Sequence, residues 1–277
     1  MRTIKWGILE TLSEYRKLAS NYNEFVKPSG FEVEQVLVKQ DPENPLKDIE
    51  EGRLDIYQVT SEQLFDITER PWLKIWEFPF IFRDKAHAEA YINSDHVQNI
   101  IKELETESYL PLTYSYAGGF CHVIKEKNKP VELYNSLPYT YIQNKTDAEI
   151  AAMESTELPL PHSILAYEIN EYTLLKPSVR EKLELELSNH MIVSRMTIIS
   201  RKLYNELGEE NIKQLFTLLN SERQKIYDTA EEKLKMFKHD GLIQYREVGE
   251  DEKAMWRANI VSPNEQLNEE IKFVQSL

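Results

Sequence analysis

Strand and helix periodicities alternate through the first hundred residues, and that alternation confines the chain to few architectures. The expected ones are βαβ units that build a mostly parallel sheet with helices on its faces. Residues 3–9 read as a short apolar strand. Thr11-Leu-Ser-Glu14 then has capping-box spacing, and Leu12, Tyr15, Leu18, Ala19, Tyr22, Phe25 and Val26 recur at three- and four-residue steps, which predicts a helix to about Pro28. A second strand over 31–38, a short helix over 45–51 stopped at Gly52, and strands over 54–59 and 73–78 follow.

Helices are expected over 84–92 and 95–107, then extended segments over 110–116, 120–125 and 139–144. Only eight glycines occur, so the adjacent Gly118-Gly119 pair is read as a bend where the chain crosses between lobes. Helix signals fall at 147–155 and 163–171, and strand signals at 183–187 and 190–200. Helical periodicity over 209–239, ended by Asp240-Gly241, is too long for one small lobe and is expected to run past both. A last strand is placed at 242–248, and Ser262-Pro-Asn-Glu265 is read as a capping box opening the C-terminal helix.

Charge and composition remove several functional classes. With 277 residues the chain can bury a core without staples, and its single cysteine, Cys121, excludes an intramolecular disulfide and a Cys-rich zinc site. Forty-seven acidic residues against 33 basic ones give a net charge of −14, which repels phosphate backbones and argues against nucleic acid as a partner. No run approaches the roughly 20 apolar residues of a membrane span, so insertion is not expected. The localisation is cytoplasmic if Met1 is the native start, and periplasmic or otherwise extracytoplasmic if a leader was removed.

No nucleotide-binding glycine loop, nucleophile elbow or zinc-protease helix motif occurs, and the six histidines lack metal-ligand spacing, so no cofactor or metal is implied. Cys121 and His122 are adjacent, but neighbours on a strand point to opposite faces and make no ready dyad. Cys121 can therefore line a cleft or simply fill a core. The aromatic set Trp72, Trp76, Phe78, Phe80 and Phe82 reads mainly as core, with an aromatic near Phe80 as a ligand cover. Because open α/β sheets bind at the carboxyl ends of their strands, Glu10, Thr60, Ser61 and Glu62 are candidate pocket groups. Glu10 and Glu62 serve equally well as solvated carboxylates at helix starts.

The segment Phe78-Pro-Phe-Ile-Phe-Arg-Asp-Lys-Ala-His-Ala88 resembles the Pro-Phe-x-Phe-Arg-Asp-x-x-His-Ala stretch of solute-binding proteins from tripartite ATP-independent periplasmic (TRAP) transporters. Upstream, Ile49-Glu-Glu-Gly-Arg-Leu-Asp-Ile56 is similar to the family's Gly-x-x-Asp stretch, and Val59-Thr-Ser61 to the turn after it. Downstream, Gly119-Phe-Cys-His122 with Lys129-Pro-Val131 resembles its Gly-Phe-Arg strand and Pro-Val turn. Ser188-Asn-His190 through Leu203-Tyr-Asn-Glu-Leu207 resembles its crossover strand and the helix after it.

The resemblance implies an α/β fold like type II periplasmic binding proteins: two interleaved lobes, a central cleft and a long spanning helix. Lobe 1 would comprise 1–117 and 193–230, lobe 2 would comprise 118–192 and 231–260, and 261–277 would form a helix packing back on them. It also implies a solute-binding protein that closes on a small organic molecule, with a membrane permease as partner. In the family two arginines grip a ligand carboxylate; the matching positions here hold Cys121 and Gln143, with Lys145 and Arg195 the nearby cations. The family's Gly-x-x-Asp-Gly-Gln motif is missing from the stretch 170–177. A simple carboxylate is therefore not the expected ligand. Glu10, Thr60, Ser61, Phe80, Cys121, Gln143 and Lys145 are the expected ligand-binding residues. The alternative is a cytoplasmic enzyme or ligand sensor on the same fold, with Glu10, Glu62 or Cys121 as acid, base or nucleophile.

Overall fold

A computed structural model of the protein describes residues 1–9, 13–38, 44–78, 80–127, 163–168, 177–257 and 264–277. Its contacts divide the chain into two units. Unit 1 is Met1–Leu73, Glu89–Ala117 and Ser194–Ile226; unit 2 is Lys74–Ala88, Gly118–Val193 and Tyr227–Leu277.

Unit 1 begins as the alternation predicts. Strand β1 (Arg2–Leu9) leads into helix α1 (Ser13–Val26), a 3-10 turn at Lys27–Ser29, and strand β2 (Phe31–Val38). β2 lies parallel to β1 over eight residue pairs, from Arg2 opposite Phe31 to Leu9 opposite Val38. Helix α2 (Pro45–Glu50) follows, with Asn44 Oδ1 accepting the Lys47 amide hydrogen as its N-cap. Strand β3 (Ile56–Thr60) pairs parallel with the other edge of β1, and helix α3 (Ser61–Thr68) begins at the strand's carboxyl end.

The core of this unit comes from strand alternation meeting helical periodicity. Ile4, Trp6 and Ile8 leave one face of β1 and cluster with Leu18, Ala19, Tyr22 and Val26 of α1. Trp6 meets Tyr22 edge-on with ring centroids 6.1 Å apart. On the other face stands Gly7, where a Cβ would lie 2.7 Å from Tyr57 and 2.8 Å from Leu54.

Two long strands, β4 (Tyr109–Glu126) and β6 (Leu183–Ser200), contribute residues to both units. In unit 1, β6 runs antiparallel to β3, from Ile56 opposite Ile199 to Thr60 opposite Arg195. In unit 2, β5 (Ser163–Glu168) pairs antiparallel with β4 and β7 (Tyr245–Glu247) parallel with β6. Helices α4 (Lys85–Asn93) and α5 (Asp95–Ile100) precede β4. The short α6 (Pro177–Arg180) precedes β6, and α7 (Arg201–His239), α8 (Glu250–Arg257) and α9 (Glu265–Ser276) complete the described order. α7 is interrupted once, at Gly208 (φ 73°, ψ 167°), and Gly241 with φ 64° follows its end.

The structure corrects several expected elements. The stretch around 73–78 is a 3-10 helix, Pro71–Glu77, and not a fourth strand. With three residues per turn, Trp72 aligns with Ile75 and Leu73 with Trp76, and all four are buried, so a period of three had been read as a period of two. Gly118-Gly119 lies within β4 and not in a turn, and the boundary between the two units falls at Ala117–Gly118; a Cβ on Gly119 would stand 2.9 Å from the Ala230 Cβ on α7. Residues 163–168 form a strand where a helix was expected, because pairing with β4 overrides a short ambiguous apolar run. Segments 183–187 and 190–200 are one strand, whose interruption is the left-handed Asn189 (φ 49°). The cap of α9 is Asn264, which accepts the Leu267 amide hydrogen at 3.0 Å, and Ser262 lies outside the described residues. The segments 139–144 and 147–155 also lie outside them.

The crowding at Gly7 is directly testable. Gly7→Val is expected to destabilise the folded state, measured by urea unfolding, by about 1–3 kcal/mol, the usual cost of overpacking a filled core. An unchanged midpoint would show that Leu54 and Tyr57 yield freely.

Candidate functional site

The carboxyl end of β3 is built by a helix cap. Thr60 ends the strand and caps α3: its Oγ1 accepts the Gln63 amide hydrogen at 3.2 Å, while Gln63 Oε1 accepts the Thr60 amide hydrogen at 3.1 Å. That reciprocal pair fixes where the strand stops and holds Ser61 at the first helical position. Ser61 is buried, 3.3 Å from the Tyr114 hydroxyl and in a short hydrogen bond with Ser194. Tyr114 in turn meets Trp72 edge-on at 6.0 Å, and the indole Nε1 of Trp72 is buried with no acceptor among the described residues. Arg195 stands opposite Thr60 in the β3–β6 register and is half-buried. Unit 1 therefore presents hydroxyls and an aromatic pair at a strand end.

Sequence reasoning located Thr60 and Ser61 and placed Trp72 in the core set, but it gave no role to Tyr114 or Ser194. Those two join the cluster through the β3–β6 and β4–β6 pairings, a non-local register that no spacing in the chain encodes. Glu62 lies in the first turn of α3, where an acidic side chain suits the helix dipole. Glu10, Gln143 and Lys145 lie outside the described residues.

Unit 2 holds Phe80, Cys121 and the buried His122 and His190. Cys121 and His122 are consecutive in β4 and both buried, so the strand is covered on both faces and the two side chains diverge. His122 Nδ1 accepts the Asn189 amide hydrogen at 3.5 Å, and His190 Nδ1 lies 2.7 Å from the Ser188 hydroxyl. Phe80 is buried in the left-handed region with φ 65°, which strains a bulky residue, and its amide hydrogen-bonds to the His190 carbonyl. The Phe80 and His190 rings are 6.0 Å apart. Two strained residues, Phe80 and Asn189, thus flank one buried imidazole.

The motifs that carried the resemblance turn out to be joints. Asp84 Oδ1 accepts the His87 amide hydrogen at 2.8 Å, capping the start of α4. His87 Nδ1 accepts the Arg83 amide hydrogen at 3.1 Å, which leaves Nε2 to donate to the Val274 carbonyl at 2.8 Å and tie α4 to α9. Gly52 with φ 71° turns the chain after α2, and Asp55 then accepts the Lys5 amide hydrogen at 2.8 Å and an Arg2 guanidinium hydrogen at 2.7 Å. Among the described residues no group of three or more His, Cys, Asp or Glu side chains could hold a metal ion, and no helix is long and apolar enough to cross a membrane.

These parts define a class: an α/β protein with polar and aromatic groups at the carboxyl end of a sheet strand. Residues 39–136 match the family model of the bacterial extracellular solute-binding proteins, family 7. Three solved structures illustrate how far the likeness extends. A TRAP periplasmic solute-binding protein from Escherichia fergusonii, in an apo open form, is 16% identical with a TM-score of 0.76, covering 100% of this chain and 99% of its own. One from Sulfurospirillum deleyianum with bound succinate is 18% identical with a TM-score of 0.68, again over 100% and 99%. A sugar acid binding protein from Advenella mimigardefordensis in complex with galactonate is 16% identical with a TM-score of 0.68, over 99% and 96%. Comparison with curated protein sequences gives no match. The chain thus has the fold of the TRAP solute-binding proteins from end to end and carries their family segment over 39–136.

His122 and His190 of unit 2 make the protein sensitive to acid. Burial, assisted by Lys238 and Lys253, lowers His122 to about 4, and burial, assisted by His122, lowers His190 to about 3. In the unfolded chain histidine protonates near ~6.5. Below that pH the unfolded state takes up protons that the folded state refuses, so stability falls until the folded groups themselves titrate. Each imidazole contributes a slope of up to about 1.4 kcal/mol per pH unit. Urea unfolding should show stability flat above pH ~7 and declining from pH ~6.5 to ~4, with a shallower decline in His122→Asn. Equal slopes in the two proteins would refute neutral burial of His122.

Proposed function

We propose that this protein is a TRAP-type solute receptor whose ligand is a small neutral or zwitterionic organic molecule, passed on to a membrane permease. The receptor reading is carried by one observation: a family segment at 39–136 sits in a fold that aligns with those receptors over the whole chain. The ligand reading rests on charge. Solved relatives hold succinate, galactonate and D-glucuronate, all of them carboxylates. A carboxylate removed from water without a cationic partner costs several kcal/mol, and the resemblance places a gripping arginine where this chain has Cys121. Cys121 is buried, and a thiol in the arginine's place brings no planar guanidinium fork to that position. Thr60 and Ser61 in unit 1 supply neutral hydrogen-bonding groups.

The experiment is to release and identify by mass spectrometry whatever copurifies with the protein, then to titrate that compound and succinate by calorimetry. A neutral or zwitterionic compound should bind in the micromolar range or tighter, with succinate weaker by at least about a hundredfold, the factor that about 2.7 kcal/mol carries. Succinate binding as tightly would refute the ligand reading. Turnover of the compound that is lost in Glu62→Gln or Cys121→Ala, with stability unchanged, would refute the receptor reading.

A further inference from the structure

Unit 1 contains a cavity of about 460 Å³ between α4, α5, β4 and α7, within the size range of small-molecule sites. Among the described residues, none of Thr60, Ser61, Phe80 or Cys121 lines it. On α7 it takes Phe216, Asn220 and Arg223, spaced four and three residues apart and hence on one helix face. Ile92 and Ile101 supply apolar wall, and Asn93 a second amide.

Arg223 gives the cavity its chemistry. Its guanidinium carbon lies 5.1 Å from the centroid of the Tyr116 ring, a cation–π placement that holds the side chain in position. The Tyr116 hydroxyl donates to Glu89 at 2.8 Å, which fixes that ring in turn. The Nε hydrogen of Arg223 is buried and has no acceptor among the described residues. A buried guanidinium hydrogen left without an acceptor is costly, and in a chain of net charge −14 a carboxylate would have been the easy remedy. Phe216, 46% exposed, stands on the same α7 face as the arginine.

We infer that this cavity is a binding site for a small organic anion with an apolar body. The anionic group pairs with the planar fork of Arg223, Asn220 and Asn93 orient it, and Ile92, Ile101 and Phe216 enclose the body. Tyr114 lines this cavity as well as joining the Ser61 cluster, but Arg223, Asn220 and Asn93 take no part in that cluster, so the inference and the receptor reading can each fail alone.

The probe is 4-fluorobenzoate, followed by fluorine NMR line broadening on the full-length protein, with thermal unfolding of the same samples as the fold control. The wild type should broaden the signal saturably, and Arg223→Met should weaken binding by at least about tenfold, the range of one lost charged hydrogen bond. Asn220→Trp, which fills the cavity from α7 and leaves Arg223 in place, should weaken it similarly and decides the matter if Arg223→Met fails to fold. No saturable binding by the wild type at millimolar probe would overturn the proposal. So would undiminished binding by a folded Arg223→Met or Asn220→Trp variant, or equally tight binding of uncharged 4-fluorobenzyl alcohol.

Discussion

The buried carboxylate of Asp55 is the junction on which unit 1 is assembled. One oxygen accepts the Lys5 amide hydrogen at 2.8 Å and the other an Arg2 guanidinium hydrogen at 2.7 Å. Its main-chain N–H donates to the Lys5 carbonyl at 2.8 Å, and its own carbonyl accepts from Ser200 at 2.8 Å. One residue therefore ties β1, β3 and the end of β6 before the ladder between them begins. A buried charge is tolerated only when so thoroughly partnered, and the same partners set the register from which Thr60 and Ser61 inherit their positions.

From that register the chemistry of the strand end follows. The β3–β6 ladder sets Thr60 opposite Arg195 and brings Ser61 onto Ser194, while Tyr114 of β4 closes the hydroxyl cluster. In unit 2 the equivalent work falls to strained backbone: Phe80 and Asn189 adopt left-handed conformations around the buried His190. Strain of that kind persists only where its surroundings overdetermine it, and here a backbone hydrogen bond from Phe80 to His190 does so. Thr60, Ser61, Ser194 and Tyr114 offer hydroxyls at the first corner, with Arg195 standing opposite Thr60, and the second corner is built on aromatic and imidazole rings.

The motifs that carry the family resemblance contribute joints and caps. Asp84 caps α4, His87 bridges to α9 through a single tautomer, and Gly52 with Asp55 turns the chain and anchors it. Such residues hold a fold together whatever it binds. This explains how the chain can share a scaffold with the succinate- and galactonate-bound proteins at 16–18% identity.

Local physics settled what could be read from the chain alone. The β1–α1–β2 unit, the break after α2 and the long α7 all follow from periodicity, capping chemistry and glycine, which depend on neighbours within a few residues. Recognition also worked at this level, because ordered caps and turns leave a spaced signature. The 3-10 helix at Pro71–Glu77 was misread because periods of two and three are hard to separate over seven mixed apolar residues. β5 was misread because pairing with a distant strand outweighed its local preference. The Ser61–Tyr114–Ser194 cluster, the burial of His122 and His190, and the Arg223 cavity bring together residues far apart in sequence. Their contacts depend on strand register and helix packing, which exist only once the tertiary structure has formed.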